Sequence, residues 1–162
     1  MRGFEVGDAE AFYLLNADPD VIRYTGEPPC ESVASARAAI ATYPDWERYG
    51  IGRWATVHKD SGRVVGFSGL KYLPERDEVD LGYRFLPRYW GKGLATEASR
   101  ACLDYGFKVL GLKRIVGFAF AENVASLRVL NKLGFRRQEP VSYEGEMVEY
   151  YALTASEHSQ LA

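Results

Sequence analysis

The pattern of apolar and polar positions along this chain changes period once, near residue 53. Before that point spacings of three and four dominate. Ala11, Phe12 and Leu15 share one face of a predicted helix over residues 8–16, with acids in its first turn. Asp18-Pro19-Asp20 reads as its stop, and residues 21–29, with Tyr24, Glu27 and a Pro-Pro pair, read as a loop. Ser32 as N-cap, followed by Val33, Ala36, Ile40 and Tyr43 at helical spacing, predicts a second helix that Pro44 ends. The residues ahead of position 8 read as a short strand.

From residue 53 onward alternation takes over. Residues 53–58 and 63–70 are strand-like, and Lys59-Asp60-Ser61-Gly62 between them reads as a hairpin turn. Residues 78–85 alternate strictly, with Val79, Leu81, Tyr83 and Phe85 on one face and Asp80 and Gly82 on the other. Leu86-Pro87 ends that run, and a glycine-containing stretch, Arg88 to Ala95, follows at once. A helix over 94–110 carries Leu94, Ala98, Cys102, Tyr105 and Val109 on one stripe, with Gly111 as its cap. The apolar run 114–121 suits an inner strand, and a short helix then runs from Glu122-Asn123 to Gly134. Phe135 onward, with 147–153, predicts a final hairpin, and the tail from Thr154 reads as frayed. The order is mixed α/β, with residues 78–121 forming a parallel strand–helix–strand crossover.

Composition narrows the classes. A chain of 162 residues and 18.2 kDa predicts one domain over 1–162. No apolar run reaches the length of a membrane span, and the first residues lack a signal-peptide core, so a cytoplasmic protein without a membrane partner is expected. A net charge of -2 argues against general nucleic-acid binding. Cys30 and Cys102 form no C-x-x-C or Cys/His cluster, so no metal site is expected, and Cys102 on an apolar helix face reads as a buried thiol.

The stretch Arg88-Tyr89-Trp90-Gly91-Lys92-Gly93-Leu94-Ala95 is the candidate anion site. Two glycines one residue apart let the main chain approach a ligand, and the helix that opens after them has amides without partners. Three or four such amides, at roughly 1.5–3 kcal/mol each for a charge-assisted bond, outweigh an exposed Arg88 or Lys92 contact at about 0–1 kcal/mol. Gly93 precedes Leu94 rather than Lys-Ser/Thr, and position 96 is Thr, so neither a P-loop nor a dinucleotide fingerprint is present. Taken alone, the two glycines fit an unliganded strand-to-helix turn equally well.

The wider segment resembles the GNAT N-acetyltransferase superfamily, whose signature is Gln or Arg followed by x-x-G-x-G/A; Arg88, Gly91 and Gly93 match it. Asp80-Leu81-Gly82-Tyr83, Trp90 through Ala98, Leu110 through Ile115, Asn123-Val124-Ala125-Ser126 and Val129 through Phe135 are similar to the RimJ/RimL-type branch, as are Asp8 through Phe12 and Asp18 through Val21. The resemblance implies a GNAT fold: one mixed, mostly antiparallel sheet of six to seven strands, a parallel splayed pair (strands 4 and 5), and roughly four flanking helices. It implies acetyl-coenzyme A, with main-chain amides from Gly91, Lys92, Gly93, Leu94, Ala95 and Thr96 at the diphosphate, Arg88 beside them, and the pantetheine arm against the backbone near Phe85 and Leu86. Asn123 would contact the pantetheine side, and a helix N-cap is the other explanation of that residue. Relatives begin with a longer apolar run ahead of the position of Phe4, so the first strand here is expected to be short, or cut.

The same resemblance assigns the chemistry. Asp80 matches a frequent Glu and becomes the candidate base, acting through water; a solvated strand acid is the alternative. The position where many relatives carry a proton-donating Tyr is Leu130, whereas Ser126 matches the branch's serine and is the candidate hydrogen-bond donor to the departing thiolate. Glu144 is a second candidate base, and Tyr24, Glu27 and Tyr143 are candidate acceptor contacts. Neither His58 nor His158 is expected to take part. With no activated nucleophile in view, direct attack of an amine on acetyl-coenzyme A is expected. An α-amine is neutral in roughly one molecule in ten at pH 7 and a lysine amine in fewer than about one in a thousand, so an N-terminal acceptor asks little of the base. The alternatives are a small-molecule amine (amino acid, polyamine or antibiotic) and a non-catalytic acyl-coenzyme A sensor; a monomer or homodimer is expected.

Overall fold

The computed structural model describes residues 1–161, and a seven-stranded sheet is its spine. The strands are β1 (Arg53–Val57), β2 (Val64–Leu73), β3 (Glu78–Phe85), β4 (Arg114–Ala119), β5 (Arg136–Arg137), β6 (Val141–Tyr143) and β7 (Glu146–Thr154). They run in the order β1-β2-β3-β4-β7-β5, with β6 paired to β7. Every pair is antiparallel except β3 and β4, which run parallel and share one register pair, Asp80 opposite Val116. A single parallel pair is what splayed strands leave. These are the strands that the resemblance numbers 4 and 5. Among the described residues, the short strand expected ahead of position 8 is reduced to an isolated bridge, Arg2 to Ala55.

Register decides which residues share a face. Ser68 opposite Tyr83 and Leu70 opposite Leu81 point to one side of the sheet, while Phe67 opposite Arg84, Gly69 opposite Gly82 and Lys71 opposite Asp80 point to the other. On the first side lies the helix α5 (Leu94–Asp104), whose Cys102 and Leu103 join Leu70, Leu81, Ile115, Leu130 and Leu153 in the main core. Fully burying each such side chain contributes about 1.5–3 kcal/mol. On the second side, Leu15 of α1 (Ala9–Ala17) packs with Phe67 and Leu86. The sheet is therefore covered on both faces where β2 and β3 pass through its middle.

Helical sequence near the N-terminus is more broken than its periodicity predicts. Asp18-Pro19-Asp20 stops α1 and also starts α2 (Pro19–Ile22): the Asp18 carboxylate accepts from the amides of Asp20 and Val21, and Pro19 occupies the first helical position. After α3 (Val33–Ala41), Pro44 does not open a loop but leads into α4 (Asp45–Tyr49), closed by Gly50 in the left-handed region at φ 69°. The stripe over 94–110 is α-helical only to Asp104 and finishes in a wider π turn over Tyr105–Val109. As predicted, a short helix, α6 (Val124–Lys132), follows β4.

The tail predicted as frayed is capped and docked. Thr154 and Glu157 form a reciprocal capping box, the Glu157 amide donating to Thr154 Oγ1 at 3.3 Å and the Thr154 amide donating to Glu157 Oε2 at 3.0 Å. The resulting α7 (Ala155–Ser159) buries His158 against Phe107, with Nε2 of His158 at 2.9 Å from Asp104 Oδ1.

Candidate active site

The glycine stretch bends as an anion cradle requires. Gly91 and Gly93 sit at φ 72° and 80°, a region costly to residues with a Cβ, and a Cβ at either would meet nothing within 4 Å. Their glycine identity therefore answers to backbone conformation and to open space above it rather than to packing. Gly93 caps α5 without a side chain, and the first helical bond runs from the Glu97 amide to the Gly93 carbonyl at 3.0 Å. The amides of Leu94, Ala95 and Thr96 are left without partners inside the helix and face a cavity of about 1040 Å³. Backbone space, unpartnered amides and cavity size fit a coenzyme A diphosphate.

That cavity draws together most of the residues singled out in the sequence: Asp80, Phe85, the glycine cradle, Asn123, Ser126, Tyr24, Glu27, Tyr143 and Glu144. Three lie off it. Leu86 is buried with Leu15 and Phe67, its amide donates to Val65 O and its carbonyl accepts from the Tyr89 amide, so its main chain is already committed. Arg88 and Lys92 instead stand over the Tyr89 ring at 5.3 and 5.4 Å. The Phe85 carbonyl accepts from the indole N–H of Trp90 at 2.6 Å. Glu144 is exposed in the hairpin turn at φ 51°, next to Gly145 at φ 85°.

Asp80 is not a solvated strand acid. Its side chain is 14% exposed, and Arg53 Nη2 donates to its Oδ2 at 2.8 Å while Arg53 Nη1 donates to the Gly69 carbonyl at 2.5 Å. Gly82 makes this possible, since a Cβ there would fall 2.4 Å from the guanidinium. Burial pushes the Asp80 carboxyl up from the ordinary aspartate value, and Arg53 opposes that shift without cancelling it.

Across β3, on the α5 side, the Tyr83 hydroxyl lies 2.8 Å from Ser126 Oγ and 3.1 Å from the Ser126 carbonyl. Ser126 is fixed from the other direction by the N-cap of α6, its amide donating to Asn123 Oδ1 at 3.1 Å. Asn123 thus caps the helix and lines the cavity at once. Leu130 is buried in the core, packed where a Cβ on Gly117 would strike it. Cys102 is fully buried and its thiol is pushed up by burial, matching the structural role expected of it.

Arg53, Tyr83 and Arg84 were missed as site residues. Arg84 donates from Nη1 to Asn16 Oδ1 at 2.6 Å and from Nη2 to Glu27 Oε2 at 2.7 Å, tying the end of α1 and the segment after α2 to β3. Gly69 and Gly82, which face one another across two strands, were the available trace of Arg53: Gly82 leaves room for its guanidinium and Gly69 for its main chain.

Residues 1–136 match the model of the acetyltransferase (GNAT) domain. The chain is 34% identical to the uncharacterized N-acetyltransferase YoaA of Bacillus subtilis, over 81% of this chain and 75% of that one. It is 40% identical to the spermidine N(1)-acetyltransferase of Escherichia coli, over 93% and 76%. The solved GNAT-family acetyltransferase from Bacillus anthracis superposes with a TM-score of 0.80 at 31% identity, covering 96% of this chain and 94% of that one. With that match over most of its length, and with its glycine cradle, splayed parallel pair and cavity in register, the chain belongs to the GNAT family of acetyl-coenzyme A-dependent N-acetyltransferases.

Proposed function

We propose that this acetyltransferase acts on the N-terminal α-amine of a protein or peptide, in the manner of the RimJ/RimL-type branch. The observation that carries this reading is the matching of the two cavity carboxylates beside β3, Asp80 and Glu27, to arginines, which leaves Asp20 and Glu144, among the described residues, as the lining carboxylates without a partner. Asp80 is held by Arg53, Glu27 by Arg84, and Asp45 accepts from the Tyr43 hydroxyl at 2.8 Å. Arg23 and Lys71 line the same space. A polyamine brings several ammonium groups and calls for carboxylates not already matched to cations. A peptide N-terminus brings one amine that is partly neutral at pH 7.

Acetyl-coenzyme A supplies the thioester. We assign the amides of residues 91–96 to its diphosphate and Asn123 to its pantetheine side. Asp80, with Oδ2 engaged by Arg53, takes the amine proton on Oδ1 through a water, and its raised pKa makes it a better base than an ordinary aspartate. Ser126 offers its hydroxyl to the departing sulfur. Tyr24 and Tyr143 form acceptor walls, and Glu144 is a second carboxylate within reach of an incoming amine.

A small-molecule acceptor is the second reading, supported by the 40% identity to a spermidine N(1)-acetyltransferase. The test is thiol release from acetyl-coenzyme A with peptides of varied N-termini, the same peptides N-terminally blocked, and spermidine. Turnover of free but not blocked peptides is expected. A higher kcat/KM for spermidine than for every peptide would overturn the α-amine reading and favour the second.

A further inference from the structure

Tyr83 is a half-buried phenol whose hydroxyl meets Ser126 twice, at Oγ and at the main-chain carbonyl. A phenol has one proton and can serve only one of those acceptors at a time. If it donates to the carbonyl, the 2.8 Å contact to Oγ needs the serine proton, which is then spent on Tyr83. If it donates to Oγ, the serine proton is freed to turn into the cavity. We propose that Tyr83 is a positioning residue whose hydroxyl, by donating to Ser126 Oγ, aims the serine proton at the sulfur of acetyl-coenzyme A as the thioester breaks. The proposal rests on the reading of Ser126 as the donor to that sulfur.

Tyr83 does not itself give up a proton. A thiol titrates near 8.5 and a phenol near 10, so transfer from tyrosine to a thiolate is uphill even in water, and burial pushes Tyr83 further up. The balance closes without it. The amine nitrogen forms a bond to the acetyl carbon and loses its proton to Asp80; the C–S bond breaks with its electron pair going to sulfur. Ser126, polarised by Tyr83, hydrogen-bonds that charge, and water protonates the thiolate as the product leaves. Position explains the arrangement: Tyr83 stands on the α5 side of β3 and Asp80 on the opposite side, so proton removal and sulfur stabilisation occupy separate faces of one strand.

A double-mutant cycle with Tyr83→Phe and Ser126→Ala tests this, read as kcat and as KM for acetyl-coenzyme A, with coenzyme A affinity measured on each variant. Tyr83→Phe is expected to lower kcat by about tenfold with little change in KM or affinity. Ser126→Ala is expected to lower kcat at least as much, and the double variant no further than Ser126→Ala alone. Three results would overturn the proposal. In one, Tyr83→Phe keeps full kcat; in another, it loses coenzyme A binding; in the third, it costs the same factor when Ser126 is already alanine, as a structural role would. Full activity of Ser126→Ala would instead remove the reading of Ser126 on which it stands.

Discussion

Arg53 Nη2 lies 2.8 Å from Asp80 Oδ2, reaching across β2 into space that Gly82 leaves open, while Gly69 lets the main chain of Gly52 and Arg53 close in. The Arg53 guanidinium therefore ties β1, β2 and β3 together at the one register position that β3 shares with β4. It also sets the ionisation of the candidate base. Removing Arg53 leaves a carboxylate that is largely desolvated and unpaired, at a cost of about 3–5 kcal/mol.

From that relationship follows the pH dependence. Activity needs Asp80 ionised, burial holds its pKa above the ordinary aspartate value, and Arg53 pulls the other way. The acid limb of kcat/KM should lie above the ordinary aspartate value and move further up in Arg53→Met. Asp80→Asn should lower kcat/KM by about a hundredfold or more while coenzyme A still binds. Rate profiles across pH for the three proteins are the check.

At the glycine cradle, Gly91→Val with Gly93→Val places β-branched residues in a left-handed conformation, at roughly 1–3 kcal/mol each, with the new side chains in the open space above the amides. Loss of coenzyme A binding is expected with little change in far-ultraviolet circular dichroism. Calorimetric titration with coenzyme A measures the first and a melting curve the second.

Arg84→Ala releases the segment after α2, which Glu27 anchors to β3, and the end of α1, which Asn16 anchors there. The exposed Glu27 pair contributes about 0–1 kcal/mol and the bond to Asn16 about 1.5–3 kcal/mol. The KM for the acceptor should rise several-fold with the KM for acetyl-coenzyme A unchanged. Hydrogen exchange in residues 18–29 should quicken in parallel.

For the tail, Thr154→Ala removes the N-cap of α7 and should cost about 1 kcal/mol, a fall in Tm of roughly 2–4 °C. Catalysis should be untouched, since α7 lies off the cavity.

What could be read from the sequence follows the range of each interaction. The stripe of α5 and the glycine stretch are local: periodicity gives the helix and paired glycines give the turn, so both were placed from residues in series. Asp80 could be put on the correct face of β3 by alternation alone. Its partner could not, because Arg53 arrives from two strands away and only Gly69 and Gly82 hint at it. Two signals were present and misread. Asp18-Pro19 ends one helix but also has the residues that begin another, and Thr154 with Glu157 three positions on is a capping box inside a segment read as frayed. The turn α4 carries too few apolar positions, Trp46 and Tyr49, for a period to emerge.

A competition measures the central claim most directly. A peptide with a free N-terminus and an internal lysine is incubated with the enzyme, limiting acetyl-coenzyme A and an equal concentration of spermidine, and the acetyl group is located by tandem mass spectrometry. The account predicts acetylation at the peptide α-amine, with the lysine and the spermidine largely unmodified. Acetyl groups on spermidine or on the lysine side chain, with the α-amine free, would contradict it.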